Sequence, residues 1–146
     1  MMPSVQVAFH FNADDPVEYT CRLVRKALAR QARLVVCAAP DTLRHIDQRL
    51  WTLQPLAFIP HAGPQAPLHV AQRSPVWLRT RLTGDEPADV LVNLLAQTPA
   101  GFERFNRLID IVSVQEVDRL AARQRWRAHC TEGRTPERFD VGASLS

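Results

Sequence analysis

The sequence predicts an α/β fold: one Rossmann-like, three-layer domain over residues 1–146, with a mostly parallel central sheet. Three observations predict it. Apolar runs of strand length alternate with amphipathic runs of helix length from the N-terminus onward, the pattern of βαβ units. The second apolar run, Arg33–Ala39 (RLVVCAA), is continuously apolar and β-branched, as strands covered on both faces are. A chain of 146 residues that is 46% hydrophobic suffices for one core and is cramped for two.

Val5–Phe11 (VQVAFHF) reads as the first strand. Asn12, Asp14 and Asp15 are N-cap candidates for a helix running from Pro16 to about Gln31, with proline suited to the first turn. Val17, Cys21, Val24 and Leu28 form its apolar stripe, leaving Arg22, Arg25, Lys26 and Arg30 on a solvated face. Arg33–Ala39 is the buried second strand. Pro40-Asp41-Thr42 opens a second helix, with Leu43, Ile46 and Leu50 inward and Trp51 at its end.

The middle is irregular. Gln54–Pro67 holds Pro55, Pro60, Pro64, Pro67 and Gly63, so it is loop or short extended pieces. Leu68–Ala71 and Val76–Leu82 read as strands, the latter with Arg79 and Arg81 on one face. Thr83–Pro87 is a turn, Asp89–Leu95 a buried strand, Phe102–Phe105 one helical turn, and Arg107–Val112 the last strand. A final helix covers Val114–Cys130, with Val114, Val117, Ala121 and Ala128 toward the sheet and Leu120 at its edge. Gly133 and Pro136 end it, and Val141–Ser146 reads as a frayed tail.

Several function classes find no support. No apolar run reaches the roughly 18 residues of a membrane span, and the N-terminus lacks a basic leader, so a cytoplasmic protein is expected. Cys21, Cys37 and Cys130 are dispersed, which argues against a disulfide framework or zinc knuckle; Cys21 and Cys37 read as buried thiols. After the first strand the chain runs FNADDPVEY, with two carboxylates where a phosphate loop needs glycine and bare N–H groups. There is no GxxxxGK[ST] or GxSxG, and His10, His45, His61, His69 and His129 form no HExxH or Cys–His pair. The acid pairs Asp14-Asp15 and Asp85-Glu86 lie at a helix start and a turn, where solvated acids are expected. No catalytic residue, metal ligand or cofactor is expected.

Two constellations remain. The net charge is only +3, yet the basic residues are nearly all arginine, with Lys26 the single lysine. They crowd the C-terminal third: Arg104, Arg107, Arg119, Arg123, Arg125, Arg127, Arg134 and Arg138. Within RLAARQRWR, the i, i+4, i+8 spacing of Arg119, Arg123 and Arg127, at about 100° per residue, sets them on one side of a helix beside Trp126. Such a ridge is either a solvated face or a groove for an acidic peptide ending in an aromatic residue or free carboxylate. Single-stranded nucleic acid would also suit arginine beside an aromatic ring. The second constellation, LWTLQPLAFIPH at residues 50–61, carries too many large apolar groups for a plain connection. It either folds back on the core or meets a protein partner.

These two stretches resemble the chi subunit of the bacterial DNA polymerase III holoenzyme. The likeness rests on the strand-helix-strand opening, on Leu50, Trp51, Pro55, Phe58, Ile59, Pro60 and His61 in the LW…FIPH segment, on the strand DVLVNL and on LAARQRWRAH. It implies a non-catalytic replisome adaptor with DNA replication as its setting and a Rossmann-like fold that lacks the nucleotide-binding glycine loop. It also implies two partners: the acidic C-terminal tail of single-stranded DNA-binding protein, and the psi subunit that links chi to the clamp loader. Carried over by motif, the tail-binding residues are Arg119, Arg123, Trp126 and Arg127. The psi surface is Trp51, Phe58, Pro60 and His61, a surface for which a helicase could compete. The sequence after Gly133, RTPERFDVGASLS, matches no pattern of that family. A direct single-stranded nucleic-acid-binding module using the same arginines is the alternative, and a small-molecule α/β enzyme the third.

Overall fold

A computed structural model describes residues 5–52 and 75–142. The elements run β1 (Gln6–Ala13), α1 (Pro16–Ala29), β2 (Leu34–Cys37), α2 (Pro40–Thr52), β3 (Val76–Arg79), β4 (Val90–Asn93), a 3-10 turn (Phe102–Arg104), β5 (Arg107–Ser113), α3 (Glu116–Thr131) and β6 (Glu137–Asp140). Their six strands form one sheet in the order β3-β2-β4-β5-β1-β6. Among the described residues every pairing is parallel, not merely most of them, and the expected strand Leu68–Ala71 lies outside them.

Period-two alternation sorts the strand residues into two cores. On one face Leu34, Val36, Leu78, Val92, Ile109 and Ile111 pack against Cys21 and Val24 of α1 and Leu43, Ile46 and Leu50 of α2. On the other, Val7, Phe9, Val35, Leu91, Leu108 and Val112 pack against Phe102, Phe105, Ala122 and Trp126. That is the expected three-layer α/β arrangement. Asp15 caps α1, its carboxylate accepting the Glu18 N–H at 3.1 Å, and Pro16 fills the first position. Burial raises the Cys21 thiol to about 11 and Cys37 to about 12, so both are inert at neutral pH.

Four expectations are corrected. Arg107–Val112 is not the last strand: β6 follows α3 and adds to β1 as a parallel edge. Val141, assigned to a frayed tail, is buried and its N–H bonds to the Phe11 carbonyl at 3.0 Å. Glu86 is no solvated turn acid; it is buried, accepts the Thr83 and Gly84 N–H groups at 2.7 and 3.0 Å, and pairs with Arg104 at 2.7 Å. The sheet-facing side of α3 is not Val114, Val117, Ala121 and Ala128. Val117 is 72% exposed and Ala128 lies in solvent, while Ala122, Arg125 and His129 are buried.

That rotation has a local cause. Alternation along β5 puts Asp110 between Leu108 and Val112 on the α3 side, where it is fully buried. Arg125 answers it with a fork, its Nε and Nη2 donating to the two carboxylate oxygens at 2.8 Å each, while Nη1 donates to the Ala96 carbonyl at 2.8 Å. Burial pushes the Asp110 carboxyl pKa upward, and the Arg125 fork and the Asn93 amide pull against it. A buried carboxylate without a cation is costlier than an exposed valine, so the helix turns its arginine inward.

His10 of β1 gives the fold a predictable acid response. It is buried, with Nδ1 2.5 Å from the Tyr19 hydroxyl and Nε2 without a partner. Burial, aided by Arg107 and Lys26, lowers its pKa to about 4. The unfolded chain therefore takes up this proton first as pH falls from about 6.5 toward 4, and stability should drop across that window. Integrated at about 1.4 kcal/mol per pH unit, the loss approaches roughly 3 kcal/mol. His129, also buried, shifts the same way through burial and then Arg134. Urea titrations between pH 7 and 4 should show the slope, and His10→Leu should flatten it; a wild-type curve flat over that range would refute the assignment.

Candidate functional site

A groove of about 540 Å³ opens on the α3 side of the sheet, at the β1–β6 edge. Phe9, Phe11 and Asn12 of β1, Val112 of β5, and Arg138 of β6 line it together with Arg119, Ala122, Arg123, Trp126 and Arg127 of α3. Its size suits a small ligand or a few peptide residues. All four residues expected in a tail-binding site, Arg119, Arg123, Trp126 and Arg127, lie on its wall.

The groove is built by packing requirements of the helix. Ala122 is small enough to bring α3 close to the sheet and is itself buried. The next turn seats Trp126 against Phe9, ring centroids 5.2 Å apart and tilted by 59°. Such pairs contribute about 0.5–1.5 kcal/mol beyond their buried area and fix the indole as a rigid wall. With Arg125 and His129 turned inward, helical spacing carries Arg123 and Arg127 out along the flank, where both are exposed.

Arg119 is tethered at one end. Its Nη2 donates to the Asn12 side-chain oxygen at 2.8 Å, and the Asn12 amide donates to Asp140 at 3.2 Å. Asn12 holds a left-handed backbone (φ 65°), a conformation its short amide tolerates. Gly142 follows this contact closely, since a Cβ there would come within 3.1 Å of the Asn12 carbonyl. The start of α3 and the ends of β1 and β6 are thereby joined at a single corner.

Electrostatically the groove is one-sided. Every charged group on its wall is a guanidinium, and among the described residues no carboxylate lines it. Elsewhere arginines are matched: Arg104 with Glu86, Arg125 with Asp110, Arg134 with Glu132. Among the described residues no carboxylate pairs with Arg119, Arg123, Arg127 or Arg138. An aromatic floor beneath unneutralised guanidinium groups can hold an apolar group attached to several anionic oxygens.

The sequence pointed to the helix wall but missed the strand wall. Phe9, Phe11 and Asn12 join the site from β1, and Arg138 through the β1–β6 pairing, which left no signal in the sequence. Of the second expected surface, Trp51 belongs to the last turn of α2, whereas Phe58, Pro60 and His61 lie outside the described residues. Among the described residues no helix is long and apolar enough to cross a membrane, and no cluster of His, Cys, Asp and Glu could hold a metal ion.

Residues 3–137 match the model of the family described as DNA polymerase III chi subunit, HolC. The DNA polymerase III subunit chi of Pseudomonas aeruginosa is 28% identical over 118 residues, 80% of each chain. That of Haemophilus influenzae is 27% identical over 110 residues, 75% of each chain.

Proposed function

The chain belongs to the DNA polymerase III chi subunit family, and from that premise we propose that it is a non-catalytic replisome adaptor whose α3 groove holds the acidic, phenylalanine-ended tail of single-stranded DNA-binding protein. One observation carries this reading: Arg119, Arg123, Trp126 and Arg127 converge on a single groove whose wall holds no carboxylate. The tail's carboxylates would lie against the α3 guanidinium groups, which grip such oxygens as bidentate forks. Its terminal ring would enter between Trp126 and the phenylalanine floor, excluding water from the ion pairs at the rim. No proton is moved and no bond is made. The work is attachment of one replication protein to another, in the cytoplasm.

The second half of the proposal is a link to the clamp loader through psi, with the α2 end at Trp51 and the segment containing Phe58, Pro60 and His61 as the contact surface. A helicase competing for that surface would exchange partners while the tail stays bound. Trp51→Ala should weaken capture of a psi-type subunit and leave tail binding intact.

The test of the groove is a calorimetric titration with a synthetic acidic peptide ending in Phe, against Arg119→Ala, Arg127→Ala and Trp126→Ala. Each should weaken binding by about 1–3 kcal/mol. Affinity should fall as salt rises from about 0.05 M to about 0.5 M, because rim charges are screened over roughly 10 Å or less. Equal affinity in all variants would remove the groove from consideration. A single-stranded oligonucleotide bound tightly at physiological salt, in place of the peptide, would favour direct nucleic-acid binding instead.

A further inference from the structure

We infer that Arg138, on the edge strand β6, is a ligand-contacting residue that takes one carboxylate of the bound peptide from the wall opposite α3; this rests on the peptide reading above. The first support is register. β6 pairs with β1 so that Phe9 lies opposite Arg138 and Phe11 opposite Asp140. Alternation then commits successive side chains to opposite faces: Phe139 lies against His10 at 5.2 Å on the α1 side, and Arg138 enters the groove.

The second support is what holds the guanidinium. Its carbon lies 5.0 Å from the centroid of the Phe11 ring, and among the described residues it has no carboxylate partner. A ring face attracts the cation and fixes its plane without occupying its N–H donors. The fork is therefore oriented and unspent, the state in which arginine binds a carboxylate with little further ordering. The third support is position. Arg119, Arg123 and Arg127 all come from α3, so among the described residues Arg138 is the one guanidinium on the strand wall. A ligand in the groove is approached by cations from both sides, which a helix ridge alone cannot do. Arg138 itself lies one residue past the span that matches the chi family model.

The experiment is a double-mutant cycle on the full chain, with an acidic Phe-ended peptide, its single Asp→Asn variants and its C-terminal amide. Arg138→Ala should weaken the parent peptide about tenfold, the scale of one charged hydrogen-bonded contact. It should also cost nothing further against the one variant that lacks the matching carboxylate. Arg138→Lys should recover part of the loss, since the charge returns without the fork. Arg138 is exposed, and an unchanged melting temperature would confirm that the variant folds. If Arg127→Ala weakens binding while Arg138→Ala stays within twofold, the strand wall is refuted and the helix groove stands. Additive losses with every peptide variant would likewise refute a direct contact. Failure of the unmutated protein to bind the peptide would overturn both readings.

Discussion

Arg125→Ala is expected to lower the unfolding free energy by about 3–5 kcal/mol, the largest loss of any arginine among the described residues. The side chain is buried, its three donating nitrogens all engaged with Asp110 and Ala96. Truncation removes that cation and leaves a fully buried carboxylate facing an empty space between β5 and α3. Asp110 must then either stay charged in an apolar setting or bind a proton, and both routes cost stability. The damage should spread to the groove, because Arg125 neighbours Trp126 on the same helical turn. Chemical denaturation would measure it. Asp110→Leu with Arg125→Met, which replaces both charged groups with apolar ones, should recover most of the loss, since hydrophobic replacement of a buried pair is often near neutral. A loss under about 1 kcal/mol for Arg125→Ala would mean that water reaches Asp110.

The same pair explains where the sequence was legible and where it was not. Strands with uniform apolar runs, such as LVVC at residues 34–37 and VLVN at 90–93, were evident because burial on both faces leaves no room for polar residues. The α1 and α2 stripes were evident for a similar reason: one apolar face meets one apolar sheet. On α3 the rule failed. Its inward face includes an arginine and a histidine, and its most apolar arc, with Val117 and Leu120, stays outside. The warning was the aspartate inside RLIDIVS, a charge in a strand otherwise buried, which demands a cation from whatever covers it.

For the groove, spacing within one helix was sufficient to bring Arg119, Arg123, Trp126 and Arg127 together, because about 100° per residue is fixed by local geometry. The strand wall was not legible. Arg138 and Asn12 are joined to α3 by pairing between segments more than a hundred residues apart, as the Asn12–Asp140 contact illustrates. β6 is short and wholly exposed, so no burial pattern announces it. Long-range pairing of a polar edge strand leaves its mark on the chain only through register, and register is set by the completed sheet.

Arg123→Glu is expected to weaken binding of an acidic Phe-ended peptide by about 3 kcal/mol, or roughly 150-fold, while leaving stability within about half a kcal/mol of the parent. Three effects add. The central guanidinium of the ridge is lost. A carboxylate now faces the ligand's carboxylates across a groove that held none. And the new acid lies four residues from both Arg119 and Arg127, close enough to pair with either and draw it from the ligand. The same i, i+4 pairing favours the folded helix slightly, so binding and stability should separate. That separation distinguishes this variant from Arg125→Ala, where both fall together. A peptide with lysine in place of one aspartate should regain affinity for Arg123→Glu while losing it for the parent protein. Were the parent and Arg123→Glu to bind the acidic peptide within threefold of each other, the α3 ridge would not be where its charge is read.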